Sequence, residues 1–166
     1  NCITTLPYMK KLVFLLIIIP LLTSCGGAKK ATSYNLDTPN KTERIVAQAQ
    51  AFSGTRYKFG GTTSKGMDCS GLVYVAFQKE NIVLPRVSRQ MAKKGKPISI
   101  NSARKGDLVF FKTNKNSRQI NHVGLVTAVK SGEIYFIHST TSKGVLTSSL
   151  EESYWKRAFV EARRVI

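Results

Sequence analysis

The order in which two hydrophobic patterns follow one another constrains this fold most. In the first half of the chain, apolar residues recur at the three- and four-residue spacing of buried helix faces. From Asp107 onward they form short β-branched or aromatic runs separated by turn residues. Helices followed by a meander of strands are typical of the α+β class with an antiparallel sheet, which we predict here.

Local signals place the individual elements. We predict a first helix that is capped by Thr42 and ends at Gly54, and a second that is capped by Asp68 and ends at about Lys79. A short third helix is predicted to be capped by Ser88 and to end at Gly95. The predicted strands are Asp107 to Lys112, His122 to Val129, Glu133 to His138, Val145 to Leu150 and Phe159 to Ile166.

The N-terminal region has the pattern of an export signal. Met9 is followed by two lysines and by the apolar run from Leu12 to Leu22, which would rise only about 16 Å as a helix against a bilayer core of roughly 30 Å. We therefore predict a signal peptide rather than a membrane span. The next residues, Leu22 to Gly26, resemble the bacterial lipobox, in which Cys25 is lipidated after cleavage. The alternative is an ordinary signal with an incidental cysteine.

Composition then divides the chain. Residues 1–24 are predicted to hold upstream residues and the signal peptide, and residues 1–8 lack signal character. Residues 25–40 are predicted to be the lipidated cysteine and a flexible polar tether. Residues 41–166 form the predicted folded domain.

A strong positive charge points to an anionic neighbour. The chain has 26 Lys and Arg against 9 Asp and Glu, a formal net charge of +17. The export signal and the absence of any nucleic-acid-binding motif argue against nucleic acid. The cell wall and an anionic membrane surface remain, and the alternative is that the charge serves only solubility.

Cys69 is the cysteine that no other feature accounts for. Of three cysteines, Cys2 precedes the predicted start and Cys25 is the predicted lipidation site, so Cys69 has no disulfide partner. At a helix N-terminus, unpaired N–H groups and the macrodipole favour thiolate over thiol and can support an oxyanion. Cys69 is therefore a candidate nucleophile, with a buried structural cysteine as the alternative.

Two histidines are candidate partners for Cys69. His122 begins one predicted strand and His138 ends the next, joined by a tight hairpin around Ser131. A loop of odd length would pair His138 with Gly124 and put both histidines on one face. A two-residue loop would split them unless a bulge intervened. On one face, His122 could act as the base toward Cys69 and His138 could orient it, whereas a Cys/His/His zinc site is the competing interpretation.

Several motifs occur in the order found in one known family. The chain resembles the NlpC-type bacterial cell-wall cysteine peptidases over nearly all of residues 41–166. The similar segments are Tyr57 to Gly61, Met67 to Gly71, Leu84 to Gln90, Gly106 to Phe111, His122 to Val126 and Tyr154 to Arg164.

The resemblance implies a papain-like fold, with N-terminal helices packed on a small antiparallel sheet. It implies that Cys69 is the nucleophile, His122 the base and His138 the orienting residue, while Tyr57 assists the oxyanion hole. It also implies a substrate groove lined by Asp68, Ser70, Arg86 and Ser88. Asp68 could cap its helix or hold a substrate amine, and the cap is the expected role.

The function implied by the resemblance is hydrolysis of peptidoglycan. The expected partner is the stem peptide, cleaved between D-glutamate and diaminopimelate or at the cross-link, with no metal or organic cofactor. We expect a monomer in the cell envelope, lipid-anchored to a membrane facing the wall and, where a cell has two membranes, to the outer one. The alternatives are a non-catalytic lipoprotein that binds wall peptides, and an amidase or acyltransferase on the same scaffold.

Overall fold

A six-stranded antiparallel sheet forms the centre of the fold. The structure is a computed structural model, and it describes residues 39–114, 116 and 118–166. The predicted signal peptide, Cys25 and nearly all of the tether lie outside these residues. Within the described residues, none of the helices is long and apolar enough to cross a membrane. Helices and an antiparallel sheet together confirm the predicted α+β class.

The elements follow the predicted order, with additions. The helices are α1 (Lys41–Gln50), α2 (Cys69–Gln78), α3 (Ser88–Met91) and α4 (Ser153–Ala158). The strands are β1 (Thr62–Thr63), β2 (Gly66–Met67), β3 (Lys96–Ile98), β4 (Leu108–Phe111), β5 (His122–Lys130), β6 (Glu133–Thr140), β7 (Gly144–Ser149) and β8 (Phe159–Arg164). The large sheet has the order β3-β8-β4-β5-β6-β7, so β4 to β7 are the expected meander, while β1 and β2 form a separate small hairpin.

Two helix starts differ from prediction. The side chain of Asn40, not Thr42, caps α1, because its Oδ1 accepts the N–H of Glu43 at 3.0 Å. Ser88 is the first residue of α3, and the residue before it, Val87, makes no side-chain cap. The predicted cap of α2 is confirmed, since Asp68 accepts the N–H of Gly71.

The sheet buries apolar residues on both faces. On one face, α1 and α2 pack over Leu108, Val123, Leu125 and their neighbours. On the other face, a second cluster gathers around Trp155 of α4 and includes Phe111 and Phe136. In α2, the side chains of Leu72, Val73, Ala76 and Phe77 are all fully buried.

The β5–β6 hairpin decides between the two registers left open by the sequence. Its loop has two residues, Ser131 and Gly132, both with positive φ as a type I′ turn requires, so the loop is the two-residue alternative and not the loop of odd length. A β-bulge then makes Thr127 an extra residue in β5, between the Val126 and Ala128 pairings. Beyond the bulge Leu125 pairs with Ile137, which brings Gly124 opposite His138. The bulge therefore restores the register that puts both histidines on one face.

Candidate active site

Cys69 lies at the N-terminus of α2, in the turn that Asp68 caps. One Asp68 oxygen, Oδ1, accepts the N–H of Gly71 at 2.6 Å, and the other, Oδ2, accepts the N–H of Gly60 at 2.7 Å. The Cys69 side chain is buried, with 9% exposure, and its thiol is free. The Asp68 carboxylate thus joins the first turn of the helix to the preceding loop, and this fixes the position of the Cys69 sulfur.

The ionisation of Cys69 differs from the sequence-based expectation. Burial raises the pKa of the thiol, and the Asp68 carboxylate raises it further. Hydrogen bonds from the backbone N–H groups of Val123, Ser70 and Cys69 itself lower it, but the net pKa is above the usual range. The N–H groups therefore favour the thiolate as expected, but desolvation outweighs them, and the resting thiol is protonated at neutral pH.

The two histidines are in direct contact. Nε2 of His122 and Nδ1 of His138 lie 2.9 Å apart, and their rings meet at 86°. Both side chains are buried, and both lie on the face of the sheet that α4 covers. Because the backbone N–H of Val123 faces the Cys69 sulfur, the start of β5 brings His122 to the same end of the sheet as the thiol.

Burial keeps both imidazoles neutral. It lowers the pKa of His122 to about 4, although the Asp68 carboxylate acts in the opposite direction. Burial, together with the charge of His122, lowers the pKa of His138 to about 3. Nε2 of His138 is buried and has no hydrogen-bond partner among the described residues, so a second proton on this ring would be poorly solvated. His138 is thus suited to orient His122 and not to take its proton.

Tyr57 lies beside the cysteine. It is half-buried and joins the β2 segment through a parallel bridge to Met67. Burial raises the pKa of Tyr57, and Cys69 and Asp68 raise it further. Its hydroxyl therefore stays protonated near the sulfur, where it can donate a hydrogen bond.

Asp68 is held by an arginine fork. Nη1 of Arg86 donates to Asp68 Oδ1 and Nη2 donates to Oδ2, each at 2.9 Å, and Nη1 also donates to Ser70 Oγ at 2.9 Å. Desolvation raises the pKa of Asp68. Arg86 and the N–H groups of Gly71 and Gly60 together lower it by more, so the net pKa lies below its usual value. Asp68 acts as the helix cap, as expected, and it also anchors Arg86.

Two cavities meet at the cysteine. The first has a volume of about 430 Å³ and includes Cys69, Tyr57, His122 and His138 in its lining. The second, of about 470 Å³, is lined by Cys69 and Tyr57. The predicted groove residues Asp68, Ser70, Arg86 and Ser88 also line this second cavity. The structure therefore brings all the predicted site residues of the domain to one groove, with the sulfur and the Tyr57 side chain shared by its two halves.

The chain is similar to known proteins in sequence and in fold. The model of the NlpC/P60 family matches residues 54–164. The chain belongs to the NlpC/P60 family. The probable endopeptidase NlpC of Escherichia coli strain K12 is 42% identical over 157 residues, covering 92% of this chain and 99% of that protein.

Other relatives are longer than this NlpC/P60 chain. The murein DD-endopeptidase MepS/murein LD-carboxypeptidase of Escherichia coli strain K12 is 41% identical over 124 residues, covering 74% of this chain. The match spans only 62% of that protein's length. A crystal structure from Staphylococcus aureus Mu50, described as similar to lipoprotein, NLP/P60 family, has 31% identity and a TM-score of 0.66, and the match covers 76% of this chain and 41% of that one.

Two further residues of this NlpC/P60 domain contribute to the site. Trp155 stacks on His122 at 5.2 Å between ring centroids and meets His138 edge-on at 4.5 Å, so it seals both rings from water. Ser139 donates from Oγ to the carbonyl of Met67 at 2.8 Å, which ties the strand of His138 to the segment before Cys69. Sequence reasoning assigned neither role. The only sequence signal for these roles was position, because Ser139 is next to His138 and Trp155 lies in the terminal motif.

The zinc interpretation gains no geometric support. In residues 39–114, 116 and 118–166, no group of three or more His, Cys, Asp and Glu side chains is arranged to hold a metal ion. His122 and His138 instead form a hydrogen bond with each other. This bond uses the ring nitrogen with which a metal-ligating histidine would bond to an orienting partner.

Proposed function

We propose that this chain is a cysteine peptidase that hydrolyses amide bonds in the stem peptides of peptidoglycan, either between D-glutamate and diaminopimelate or at the cross-link. Cys69 is the nucleophile, His122 the base and His138 the residue that orients it. The observation that carries the proposal is the Nε2–Nδ1 contact of 2.9 Å between the histidines, in a cavity that also contains the sulfur.

The first half-reaction forms an acyl-enzyme. With the tautomer of His122 that carries its proton on Nε2 and donates it to Nδ1 of His138, neutral His122 takes the proton of the Cys69 thiol through Nδ1. The sulfur attacks the amide carbonyl, and the oxyanion accepts hydrogen bonds from the Cys69 N–H and the Tyr57 hydroxyl. The C–N bond then breaks, His122 returns its proton to the leaving amine, and a thioester remains on Cys69.

Water completes the cycle. The amine leaves, and His122 removes a proton from a water molecule that attacks the thioester carbonyl. The C–S bond breaks, the acid product departs, and Cys69 regains its proton. A neutral thiol and a neutral imidazole suit this order of steps. The proton transfer occurs only when the substrate is bound, and the bound substrate excludes water from the thiol and the imidazole.

Relatives support the substrate class. One is named as a murein endopeptidase and another as a probable endopeptidase, and the groove of this chain extends to both sides of Cys69, as cleavage inside a longer peptide requires. The overall charge of +17 favours an acidic polymer of this kind.

A digest of defined muropeptides tests the proposal. Wild type and Cys69→Ala are incubated with purified monomeric and cross-linked muropeptides, and the products are identified by mass spectrometry. We expect new amine and carboxylate termini with wild type only, and the fragment masses identify the bond. Binding without turnover by wild type would favour the non-catalytic lipoprotein, and release of the glycan from the whole stem would favour an amidase.

We also propose that Cys25 carries lipid and holds a monomeric enzyme in the cell envelope, on the outer membrane where the cell has two. The lipobox-like residues before Cys25 support the anchor. Cells expressing wild type or Cys25→Ala are labelled with a palmitate analogue and fractionated. We expect label in the membrane fraction only with Cys25, and unlabelled wild type would contradict the anchor.

A further inference from the structure

A large recess lies beside the groove, between α3 and β8. Its volume is about 670 Å³, and no predicted site residue lines it. The segment before β5 and the residue after β4 form its other walls. The charged side chains lining it are Arg89, Lys93, Lys112, Arg118, Arg163 and Glu161.

The charge of this cationic recess is strongly one-sided. Five cations face one carboxylate among the described lining residues, and that carboxylate, on Glu161, is already paired with Nε of Arg163 at 2.9 Å. Arg89 donates to the amide oxygen of Gln119 at 3.0 Å, which leaves its positive charge unneutralised. Like charges gathered around a concave surface repel one another and raise the local potential, so the recess favours an anionic occupant.

The recess continues into the groove. Arg89, Gln119 and Ile120 line both the cationic recess and the cavity that contains Cys69. A chain bound across the sulfur could therefore extend past Arg89 into the recess without leaving the surface. A bilayer is broad and flat, whereas these cations line a cavity, and this favours a polymer strand over a lipid surface.

We propose that the cationic recess is a carboxylate-binding subsite for the part of the peptidoglycan strand remote from the scissile bond. The inference rests on the proposed function, since stem peptides that contain D-glutamate and diaminopimelate carry free carboxylates. The recess would hold such a carboxylate between Lys93, Lys112 and Arg118, and would select acidic, multi-stem fragments over short or amidated ones.

Binding to a protein that cannot turn over tests the subsite. In the Cys69→Ala background, a triple variant (Lys93→Gln, Lys112→Gln, Arg118→Gln) is compared with a control triple of exposed cations elsewhere (Lys79→Gln, Lys130→Gln, Arg157→Gln). The probes are a cross-linked two-stem muropeptide with free carboxylates, the same fragment after chemical amidation, and vesicles containing phosphatidylglycerol. Calorimetry or fluorescence anisotropy gives Kd, measured at low and at physiological salt.

We expect the recess triple to raise Kd for the free-carboxylate fragment about tenfold at low salt, from the loss of three partly exposed ion pairs, and less at high salt. The control triple should change it less than about twofold, and the amidated fragment should not distinguish the two triples. Equal Kd values for the two triples would overturn the subsite. So would a loss of vesicle binding in the recess triple with unchanged fragment binding. Cleavage by the wild type is scored separately, so failure of the peptidase function remains distinguishable.

Discussion

The pH dependence of catalysis follows from the burial of His122. The proposed reaction needs this imidazole neutral, and burial lowers its pKa to about 4. At pH 5 a base with that pKa is about 90% neutral, whereas an ordinary histidine with a pKa near 6.5 is about 3% neutral. We therefore expect kcat/KM at pH 5 to stay close to its value at pH 7, with the acid limb centred near pH 4.

The assay is a pH profile of kcat/KM on one defined muropeptide at constant ionic strength, with circular dichroism confirming the fold at each pH. The roughly thirty-fold difference expected at pH 5 between a buried and an ordinary imidazole is well outside assay error. A folded enzyme whose activity halves near pH 6.5 would show that burial does not lower the pKa of His122.

A matched variant tests burial as the cause. Trp155 stacks on His122, so Trp155→Leu should admit water to the ring while keeping the site apolar. We expect the acid limb to move up by about one pH unit, because desolvation is the largest influence on the pKa of His122. If the acid limb does not move in a folded Trp155→Leu protein, the contact between Trp155 and His122 does not set the pKa of His122.

Three further outcomes are expected. Because burial raises the pKa of the Cys69 thiol, alkylation by iodoacetamide should be slow at pH 7 and should accelerate as the pH is raised into the alkaline range, and a fast plateau at neutral pH would contradict this. Arg86→Met leaves the nearly buried Asp68 carboxylate unpaired; since Arg86 itself is 32% exposed, we expect a loss of about 2–3 kcal/mol in urea unfolding, and much less in an Asp68→Asn background. Gly71→Ala adds a Cβ at 2.1 Å from the carbonyl oxygen of Gly61, so thermal unfolding should show a loss of about 1–3 kcal/mol despite a gain in helix propensity of about 1 kcal/mol, and a more stable variant would contradict the clash.

The parts of the fold with strong local signals were predictable. Asp68 caps α2 as expected, since a carboxylate before an apolar helical pattern is a specific signal. The strand starts at His122 and Glu133 also agree, because β-branched runs bounded by turn residues are specific over that length. At α1, both Asn40 and Thr42 are good caps, and only the contact with Glu43 decides between them.

The site depended on features that local sequence does not encode. A β-bulge at Thr127 sets the register of the two histidines, and no residue near Thr127 in the sequence predicts this bulge. The hairpin of β1 and β2 is too short for a periodic pattern, and it is held by tertiary contacts such as Ser139 with Met67. The pKa of Cys69 rises because the folded chain buries it, and helix position alone could not reveal that burial.

Trapping the covalent intermediate tests directly whether Cys69 is the nucleophile. Wild type is mixed with a defined muropeptide, quenched in acid within the first turnovers and analysed by intact and peptide-level mass spectrometry. We expect an added mass equal to the acyl half of the substrate, located on the peptide that contains Cys69 and absent from Cys69→Ala. Cleavage of the same bond by Cys69→Ala at the wild-type rate, with no adduct on either protein, would contradict it.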